Sequence, residues 1–223
     1  MDDIVRSVQQ FYDTVGTHFS RTRSKTYEGG TQNWPVTDVY LKRLWESQSV
    51  LDVGCGNGRL VSGLPNGVKY TGFDFSKTLL AEAKKQFPGQ RFLYGDVLDK
   101  SIWEKLGTYD AVFCVAVLHH IPERQQQVAM LKHIRKHLAP KGFFYLTVWN
   151  LWQEKYVQYH LGEKNWAQVP YLDRERFCVA FDVQSLTDVL SEAGWKIDEL
   201  FYADYHGKKS DVIHGQNLVA VAR

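Results

Sequence analysis

Cysteine is scarce in this sequence. Only three cysteines occur in 223 residues, and Cys55, Cys114 and Cys178 stand far apart, with no Cys-x-x-Cys pair and no Cys/His cluster near them. Such spacing argues against a disulfide framework and against a zinc site, and it fits a reducing interior. We therefore expect no metal ligands and a cytoplasmic location.

Long apolar runs and a strong charge imbalance are also absent. No stretch approaches the roughly 18 apolar residues of a membrane span, and the opening MDDIVRSVQQFYD is acidic and amphipathic, unlike a signal peptide. We therefore expect no membrane contact. The net charge is only +2, so any nucleic-acid binding would depend on a local patch.

Strand and helix patterns alternate through the middle of the chain. The apolar strands are VLDV, KYTGFD, RFLYGD, DAVFCVAV and GFFYLTVW, separated by helical stretches near 58–64, 76–87, 101–106 and 124–138. This alternation predicts a doubly wound, Rossmann-like α/β fold with a mostly parallel sheet. A helix near 183–193 and the strands WKIDELFYADY and NLVAVAR predict an antiparallel C-terminal pair, giving seven strands in total.

The length suits one well-buried domain, which we expect to span residues 1–223. Its expected regions are an N-terminal helical acceptor-side region (1–47), a cofactor-binding core (48–149), an insertion (150–181), and a C-terminal helix with the strand pair (182–223). Within the first region, helices are predicted near 3–15 and 36–46, joined by the loop HFSRTRSKTYEGGTQNWP.

A glycine-rich run marks the first strand-to-helix turn. In LDVGCGNGR, glycines 54, 56 and 58 leave the backbone open to a ligand, and Asp74 ends the next strand, where a carboxylate can accept ribose hydroxyls. A tight turn without a ligand is the alternative. NAD is disfavoured, because Arg59 replaces the third fingerprint glycine and Asp52 would point a carboxylate into the turn, repelling a pyrophosphate but attracting a sulfonium and an ammonium group.

The run DVGCGNG, followed by GFDFS, GDV, YDAVFCVAVLHH and LAPKGFFYLTVW, resembles the ordered motif series of class I S-adenosylmethionine-dependent methyltransferases. The resemblance covers residues 48–149 and implies S-adenosyl-L-methionine as the cofactor. It implies contacts to the methionine part from Asp52, Gly54 and Gly56, to the ribose from Asp74, and to the adenine from Asp96 and Val97. The remaining predicted cofactor-binding residues are Asn57, Gly58, Phe75 and Val115. For Asp96, a helix N-cap is the alternative interpretation.

Further phrases are similar to a narrower family. HFSRTR, WP, AVLHHI and VWN resemble the tRNA wobble-uridine carboxymethyl methyltransferases, which include the methyltransferase domain of the AlkB-homologue wobble enzyme. The resemblance implies tRNA as a partner and a carboxylate as the methyl acceptor. Eukaryotic members work with a small zinc-containing activator subunit, and no feature of this sequence predicts one. The link TYEGGTQN is longer than in that family, which leaves the loop over the acceptor undefined.

The candidate catalytic residues are His119, His120, Arg21 and Arg23. The histidines follow the fourth strand at its ligand-facing edge, so one imidazole can face the acceptor while its neighbour turns into the fold. The arginines can clamp a carboxylate or phosphate. Capping or core histidines and a solvated arginine loop are the alternatives, and a small-molecule methyltransferase acting on a metabolite's carboxylate or hydroxyl is the alternative function.

Basic residues supply a modest footprint for RNA, and tryptophans supply surfaces on which bases can stack. The basic residues are Arg21, Arg23, Lys25, Lys42 and Arg43, with Lys208 and Lys209 as a second small patch, and the tryptophans are Trp34, Trp149 and Trp152. The tryptophans can equally belong to the core.

Overall fold

The computed structural model describes residues 2–23 and 30–223 of the chain. The α-helices are α1 (Asp2–Arg23), α2 (Pro35–Leu41), α3 (Lys77–Gln86), α4 (Lys100–Trp103), α5 (Arg124–Lys136), α6 (Glu154–Val157) and α7 (Val183–Glu192). The strands are β1 (Ser49–Val53), β2 (Lys69–Asp74), β3 (Arg91–Tyr94), β4 (Tyr109–Val115), β5 (Leu138–Trp149), β6 (His160–Leu161), β7 (Trp166–Tyr171), β8 (Arg174–Val179), β9 (Ile197–Ala203), β10 (Lys209–Ser210) and β11 (Asn217–Ala222). Short 3₁₀ helices cover Arg59–Gly63, Leu118–His120 and Gly162–Lys164. Lys25 and the first half of the TYEGGTQN link lie outside the described residues.

The central sheet has the order β10-β9-β11-β5-β4-β1-β2-β3. Strands β1 to β5 pair in parallel, whereas β11 pairs antiparallel with both β5 and β9. The predicted doubly wound fold with an antiparallel C-terminal pair is confirmed. The two-residue β10, which pairs with β9, adds an eighth strand to the seven predicted from the sequence.

The sheet is apolar on both faces. Leu51 and Val53 of β1 pack with Cys114 of β4 in one core cluster, while Val50 of β1 and Phe113 of β4 pack in the other. All five side chains are fully buried. Because neighbouring side chains of a strand point to opposite faces, this division shows that helices cover the parallel strands on both sides.

The first helix is longer than predicted. Helix α1 continues past Val15 to Arg23, so the prediction of a loop at residues 18–23 is wrong. The reason is visible in the spacing, because Phe11, Val15 and Phe19 recur every four residues and extend the stripe that packs against the core. The predicted second helix is shorter, beginning with Pro35 in its first turn and ending at Leu41, and the predicted helix near 58–64 is a 3₁₀ helix.

The insertion folds into a small sheet of its own. Strands β6, β7 and β8 form an antiparallel sheet in that order. Strand β8 packs against α1 and against the Leu118–His120 turn that follows β4. The insertion therefore covers the carboxyl edge of the central sheet, where doubly wound folds place their ligands.

The predicted C-terminal helix is confirmed as α7. Asp182 caps it in a reciprocal bond with Ser185, and Gly194 follows its end with φ of 84°. None of the helices in the described part of the chain has the length and apolar composition that a bilayer crossing requires.

Candidate active site

A cavity of about 330 Å³ opens at the carboxyl edge of the parallel strands. One half is lined by the glycine turn after β1, by the end of β2, by the segment after β3 and by the end of β4. The other half is lined by α1, by the end of β5, by β8 and by the Leu118–His120 turn. We call these the cofactor half and the acceptor half.

The glycine turn forms the floor of the cofactor half. Gly54, Gly56 and Gly58 all have positive φ, at 70°, 53° and 74°. Apart from its two chain neighbours, a Cβ atom on Gly56 would come no closer than 3.8 Å to other atoms, so the space in front of it is open to a ligand. Gly58 instead packs against Phe92 and does not line the cavity, which assigns it to the fold rather than to ligand contact.

Asp74 joins the glycine turn to the end of β2. Its Oδ2 accepts a hydrogen bond from the Gly56 backbone N–H at 2.8 Å, and its Oδ1 accepts one from the Ser76 N–H, also at 2.8 Å. Burial raises the pKa of Asp74 to about 6, although these backbone donors oppose the shift. The carboxylate lines the cavity and keeps lone pairs to accept the hydroxyls of a ribose.

Asp52 does not occupy the position expected for it. Its carboxylate is buried beneath the sheet surface, where the Tyr70 hydroxyl donates to Oδ2 at 2.8 Å, and it does not line the cavity. Burial raises the pKa of Asp52 to about 7. The prediction of a carboxylate pointing into the turn is wrong, because alternation along β1 turns Asp52 to the face that holds Val50 and Tyr70.

The other predicted cofactor residues line the cavity. Asp96 is half-buried, and its Oδ1 accepts from the Leu98 N–H at 2.9 Å, while the cap of α4 is Asp99. Burial raises the pKa of Asp96. The remaining lining residues of this group are Asn57, Phe75, Val97 and Val115.

The chemistry of these residues fits S-adenosylmethionine, the cofactor that this fold implies. Asp74 offers acceptors for the ribose, Asp96 offers an acceptor for the adenine amino group, and Val97 and Val115 offer apolar contacts. The open Gly56 leaves room for the methionine part, which a Cβ would narrow. The cofactor would supply the methyl group on a sulfonium, and these residues would hold it.

His120 reaches the cavity, and His119 does not. The Nδ1 of His120 lies 2.9 Å from the Phe177 carbonyl oxygen and its Nε2 lies 2.9 Å from the Tyr12 hydroxyl. Since a carbonyl only accepts, Nδ1 carries the proton and Nε2 accepts from Tyr12. His119 is fully buried, and neither ring nitrogen has a hydrogen-bond partner among the described residues. The structure therefore agrees with one imidazole at the cavity and the other in the fold.

Both imidazoles are neutral. Burial lowers the pKa of His120 to about 3, and burial together with the neighbouring His120 lowers the pKa of His119 well below its usual value. The Arg176 charge acts in the same direction on both rings. Neither ring can therefore act as a cationic clamp near neutral pH.

Arg21 does not meet the histidines. Arg21 lies on α1 rather than on a loop, its side chain is exposed, and it does not line the cavity. Arg23 is the last residue of α1, and its side chain lies outside the described part of the structure. The prediction that Arg21 clamps the acceptor at this cavity is wrong, because the longer α1 carries its side chain to the surface.

The acceptor half contains residues that the sequence patterns did not single out. Arg176 of β8 and Tyr12 of α1 both line the cavity. The Arg176 guanidinium carbon lies 4.0 Å from the centre of the Trp149 ring, so Trp149 is one wall of the site. The sequence did contain a signal for Arg176. It directly precedes the apolar run Phe-Cys-Val-Ala-Phe, and an arginine at the start of such a run is a candidate for a buried functional charge.

The three tryptophans considered for stacking have different positions. Trp34 and Trp149 line the cavity, whereas Trp152 packs beside Leu151 in the small core of the insertion. Trp34 also donates from its indole N–H to the Tyr205 carbonyl oxygen at 3.2 Å.

A buried cluster lies behind the acceptor half. His119, His120 and Cys178 each place one potential metal-ligand atom within 4.8 Å of the others. Both nitrogens of His120 are already hydrogen-bonded, and burial raises the pKa of the Cys178 thiol to about 12, far from the thiolate that binds metals. With the Arg176 charge beside it, the cluster is a set of neutral packed groups rather than a prepared cation site.

The known proteins that this chain resembles are methyltransferases. Residues 34–200 match the methyltransferase domain family. The chain is 31% identical to a tRNA (carboxymethyluridine(34)-5-O)-methyltransferase from Arabidopsis thaliana over 66% of this chain and 33% of that protein, and 30% identical to the Saccharomyces cerevisiae protein of the same name over 74% and 56%. The chain thus spans between a third and just over half of these relatives. It is also 28% identical to a trans-aconitate 2-methyltransferase from Escherichia coli over 85% of this chain and 69% of that enzyme.

Solved structures share the fold. An S-adenosylmethionine-dependent methyltransferase from Clostridium acetobutylicum matches 93% of this chain and 98% of its own with a TM-score of 0.71 at 14% identity. A methyltransferase in complex with the Trm112 methyltransferase activator from Haloferax volcanii matches 95% of this chain and 95% of its own with a TM-score of 0.68 at 16% identity. The family match confirms the predicted methyltransferase class, and the solved structures confirm the predicted fold.

Proposed function

The chain belongs to the methyltransferase domain family, and we propose that it transfers the methyl group of S-adenosylmethionine to a carboxylate. The proposed acceptor is the carboxylate of a carboxymethyl-type modified uridine at the wobble position of tRNA. The product would be a methyl ester.

The observation that carries the carboxylate acceptor is that the acceptor half offers no free general base. Among the described residues lining that half, His120 has both nitrogens occupied and a pKa of about 3, and burial raises the pKa of the Tyr12 hydroxyl. A phenol, alcohol or ammonium acceptor must lose a proton before it can attack a methyl group. A carboxylate, with an ordinary pKa of about 4, arrives ionised and needs no base.

The uridine part of the proposal is supported by flat surfaces around the cavity. Trp34, Trp149, Tyr156 and Tyr205 line it, and single-stranded RNA bases are commonly held by stacking on such rings. The names of the two tRNA-modifying relatives point the same way. A base of a single-stranded loop can be turned out of its stack, which suits a cavity of this kind.

The electrostatic support for RNA is modest. Arg43 and Lys209 both contact the Glu199 carboxylate, at 3.4 Å and 3.8 Å, so part of the basic surface is already paired. Lys42 and Lys208, which precede Arg43 and Lys209 in the chain, are exposed. We expect binding that weakens with salt, but with a shallow slope, because few phosphates are neutralised.

A metabolite carboxylate is the second candidate acceptor. The relative named for trans-aconitate aligns over more of its own length than the two tRNA-modifying relatives do. Trans-aconitate is itself a carboxylate, so the absence of a free base suits both candidates. The two candidates differ in whether the acceptor half must also hold a nucleobase or only a small organic acid.

The test is transfer of a labelled methyl group to an anticodon stem-loop that carries 5-carboxymethyluridine at the wobble position. The same stem-loop with plain uridine is the control, trans-aconitate is the competing acceptor, and each reaction is run with and without a Trm112-type activator. We expect label on the modified stem-loop alone, released by mild alkali as an ester would be. Label on trans-aconitate without label on the stem-loop contradicts the tRNA acceptor, and alkali-stable label contradicts the carboxylate.

A further inference from the structure

Arg176 is a buried cation whose charge has no anionic partner in the described part of the chain. It is 5% exposed, and neither Nε nor Nη1 has a hydrogen-bond acceptor there. The ion pairs found among the described residues do not include it. The guanidinium donates a hydrogen bond to the Tyr12 hydroxyl, which is neutral.

Aromatic rings hold the guanidinium in place. Its central carbon lies 4.0 Å from the ring centre of Trp149, 5.2 Å from that of Tyr171 and 5.5 Å from that of Phe11. Such rings attract a cation and fix the plane of the guanidinium, but they do not neutralise its charge. Burying a charge without a counter-charge is costly, so the arrangement favours an anion that arrives with a ligand.

The position of Arg176 is in the acceptor half of the cavity. It lies on β8 of the insertion, beside His120 and Trp149. The carboxylates of the cofactor half, Asp74 and Asp96, lie at the ends of β2 and β3 and are bonded to backbone N–H groups. The guanidinium therefore lies in the acceptor half, away from the two carboxylates of the cofactor half.

We propose that Arg176 is the residue that recognises the acceptor's carboxylate. This inference rests on the proposed function and assigns its specificity to one side chain. Arginine stays protonated at any physiological pH, and its bonds to a carboxylate are charge-assisted. One carboxylate oxygen bonds to the guanidinium, and the other is left to attack the methyl group.

The same contact favours release of the product. A bond forms between the free carboxylate oxygen and the methyl carbon as the methyl–sulfur bond breaks, and the electron pair of that bond stays on sulfur. No proton moves, and the carboxylate becomes a neutral ester. Arg176 then loses its counter-charge, so the ester is held less tightly than the acid was.

The experiment compares two stem-loops that differ only in charge. One carries 5-carboxymethyluridine at the wobble position, the other carries the neutral 5-carbamoylmethyluridine, and both are titrated into protein loaded with S-adenosylhomocysteine. The variants are Arg176→Met, which removes the charge, Arg176→Lys, which keeps it, and the matched control Arg174→Met at an exposed position of the same strand.

We expect the unmodified protein to bind the acid about ten- to a hundredfold more tightly than the amide, as lost charge-assisted bonds commonly imply. Arg176→Met should abolish this preference while leaving cofactor affinity and melting temperature nearly unchanged. Arg176→Lys should restore part of the preference, and Arg174→Met should keep all of it.

Two results would overturn the inference. An intact preference for the acid in Arg176→Met shows that another group reads the charge. A lower melting temperature and weaker cofactor binding in both Arg176 variants show that the side chain supports the fold instead. If neither stem-loop binds, the titration is repeated with trans-aconitate against its trimethyl ester. An Arg176-dependent preference for that acid supports the inference and contradicts only the tRNA acceptor.

Discussion

The cofactor half and the acceptor half of the cavity are built in different ways. The cofactor half comes from successive strand ends, each followed at once by a turn, so its residues lie within the segment from Gly54 to Val117. The acceptor half combines side chains from α1, from β5 and from β8, which are distant in the chain. The first can be recognised as a local motif, whereas the second exists only after long-range packing.

The two halves also differ in how their charges are satisfied. In the cofactor half, Asp74 accepts bonds from two backbone N–H groups, so its charge is supported by the fold before any ligand arrives. In the acceptor half, Arg176 has aromatic neighbours and a neutral hydroxyl but no anion among the described residues. The charge in the cofactor half is thus stabilised by hydrogen bonds from the protein. Under our proposal, the charge in the acceptor half is instead neutralised by the carboxylate of the acceptor.

The largest effect is expected from Gly54→Ala. Gly54 has φ of 70°, and a Cβ there would lie 2.3 Å from a methyl carbon of the stiff, β-branched Val117. Left-handed backbone costs a non-glycine residue about 1–2 kcal/mol, and overpacking costs about 1–3 kcal/mol more. We expect the free energy of unfolding to fall by at least about 2 kcal/mol, measured by urea titration, with loss of cofactor binding.

The control is Gly89→Ala, because Gly89 is exposed and a Cβ there meets nothing within 4 Å. Its stability should stay close to that of the unmodified protein. If Gly54→Ala binds the cofactor as well as the control does, then the glycine turn is not the floor of the cofactor half.

A smaller effect is expected from Asp74→Asn. The amide keeps the shape of the carboxylate but offers one acceptor oxygen, and it turns an N–H group toward a backbone donor. We expect cofactor affinity to fall about ten- to a hundredfold, on the order of 1.5–3 kcal/mol, as for bonds to charged groups. Calorimetric titration with S-adenosylhomocysteine measures it.

Asp188→Asn is the matched control on the surface of α7, where Gln184 donates to the carboxylate. It should leave the dissociation constant unchanged. An equally unchanged constant in a folded Asp74→Asn protein would remove Asp74 from the cofactor site and leave it as a brace of the turn.

The smallest effect is expected when the rate of methyl transfer is measured at different pH values. Because burial lowers the pKa of His120 to about 3 and raises that of Tyr12, neither group changes charge between about pH 7 and pH 9. The single-turnover rate of methyl transfer should therefore be flat over this range. A general base titrating there would instead give a slope of about tenfold per pH unit on its acidic side.

Cofactor affinity, unlike the rate of methyl transfer, should depend on pH, and it should fall at low pH. Asp74, with its pKa raised to about 6, takes up a proton below that value and loses acceptor capacity toward the ribose. Affinity should be constant above about pH 7 and fall as the pH drops through 6.

The two pH experiments test different halves of the cavity. A rate of methyl transfer that rises from pH 7 to pH 9 contradicts the carboxylate acceptor but does not bear on the cofactor half.

The sequence predicted the cofactor half well because strand ends and glycine turns leave local patterns. Gly54, Gly56, Asp74, Asp96 and Val97 all line the cavity as expected. The prediction for Asp52 was wrong because the motif gives only its place in the chain. The alternation of side chains along β1 decides the face of the sheet on which Asp52 lies. His120 was found by its position after β4, but its neighbours Tyr12 and Phe177 come from distant segments.

By itself the sequence determined the methyltransferase class, the doubly wound sheet with its antiparallel end and most of the cofactor half. The sheet follows from periodicity and the glycine turn from a pattern of a few residues, whereas the class and the cofactor residues follow from the resemblance of the motif series to a known family. Only the tertiary structure decided that α1 runs on to Arg23, that Arg21 stays at the surface, and that Arg176 occupies the acceptor half. The reason is that a buried charge is placed by the packing of α1 against β8, a contact between segments more than a hundred residues apart.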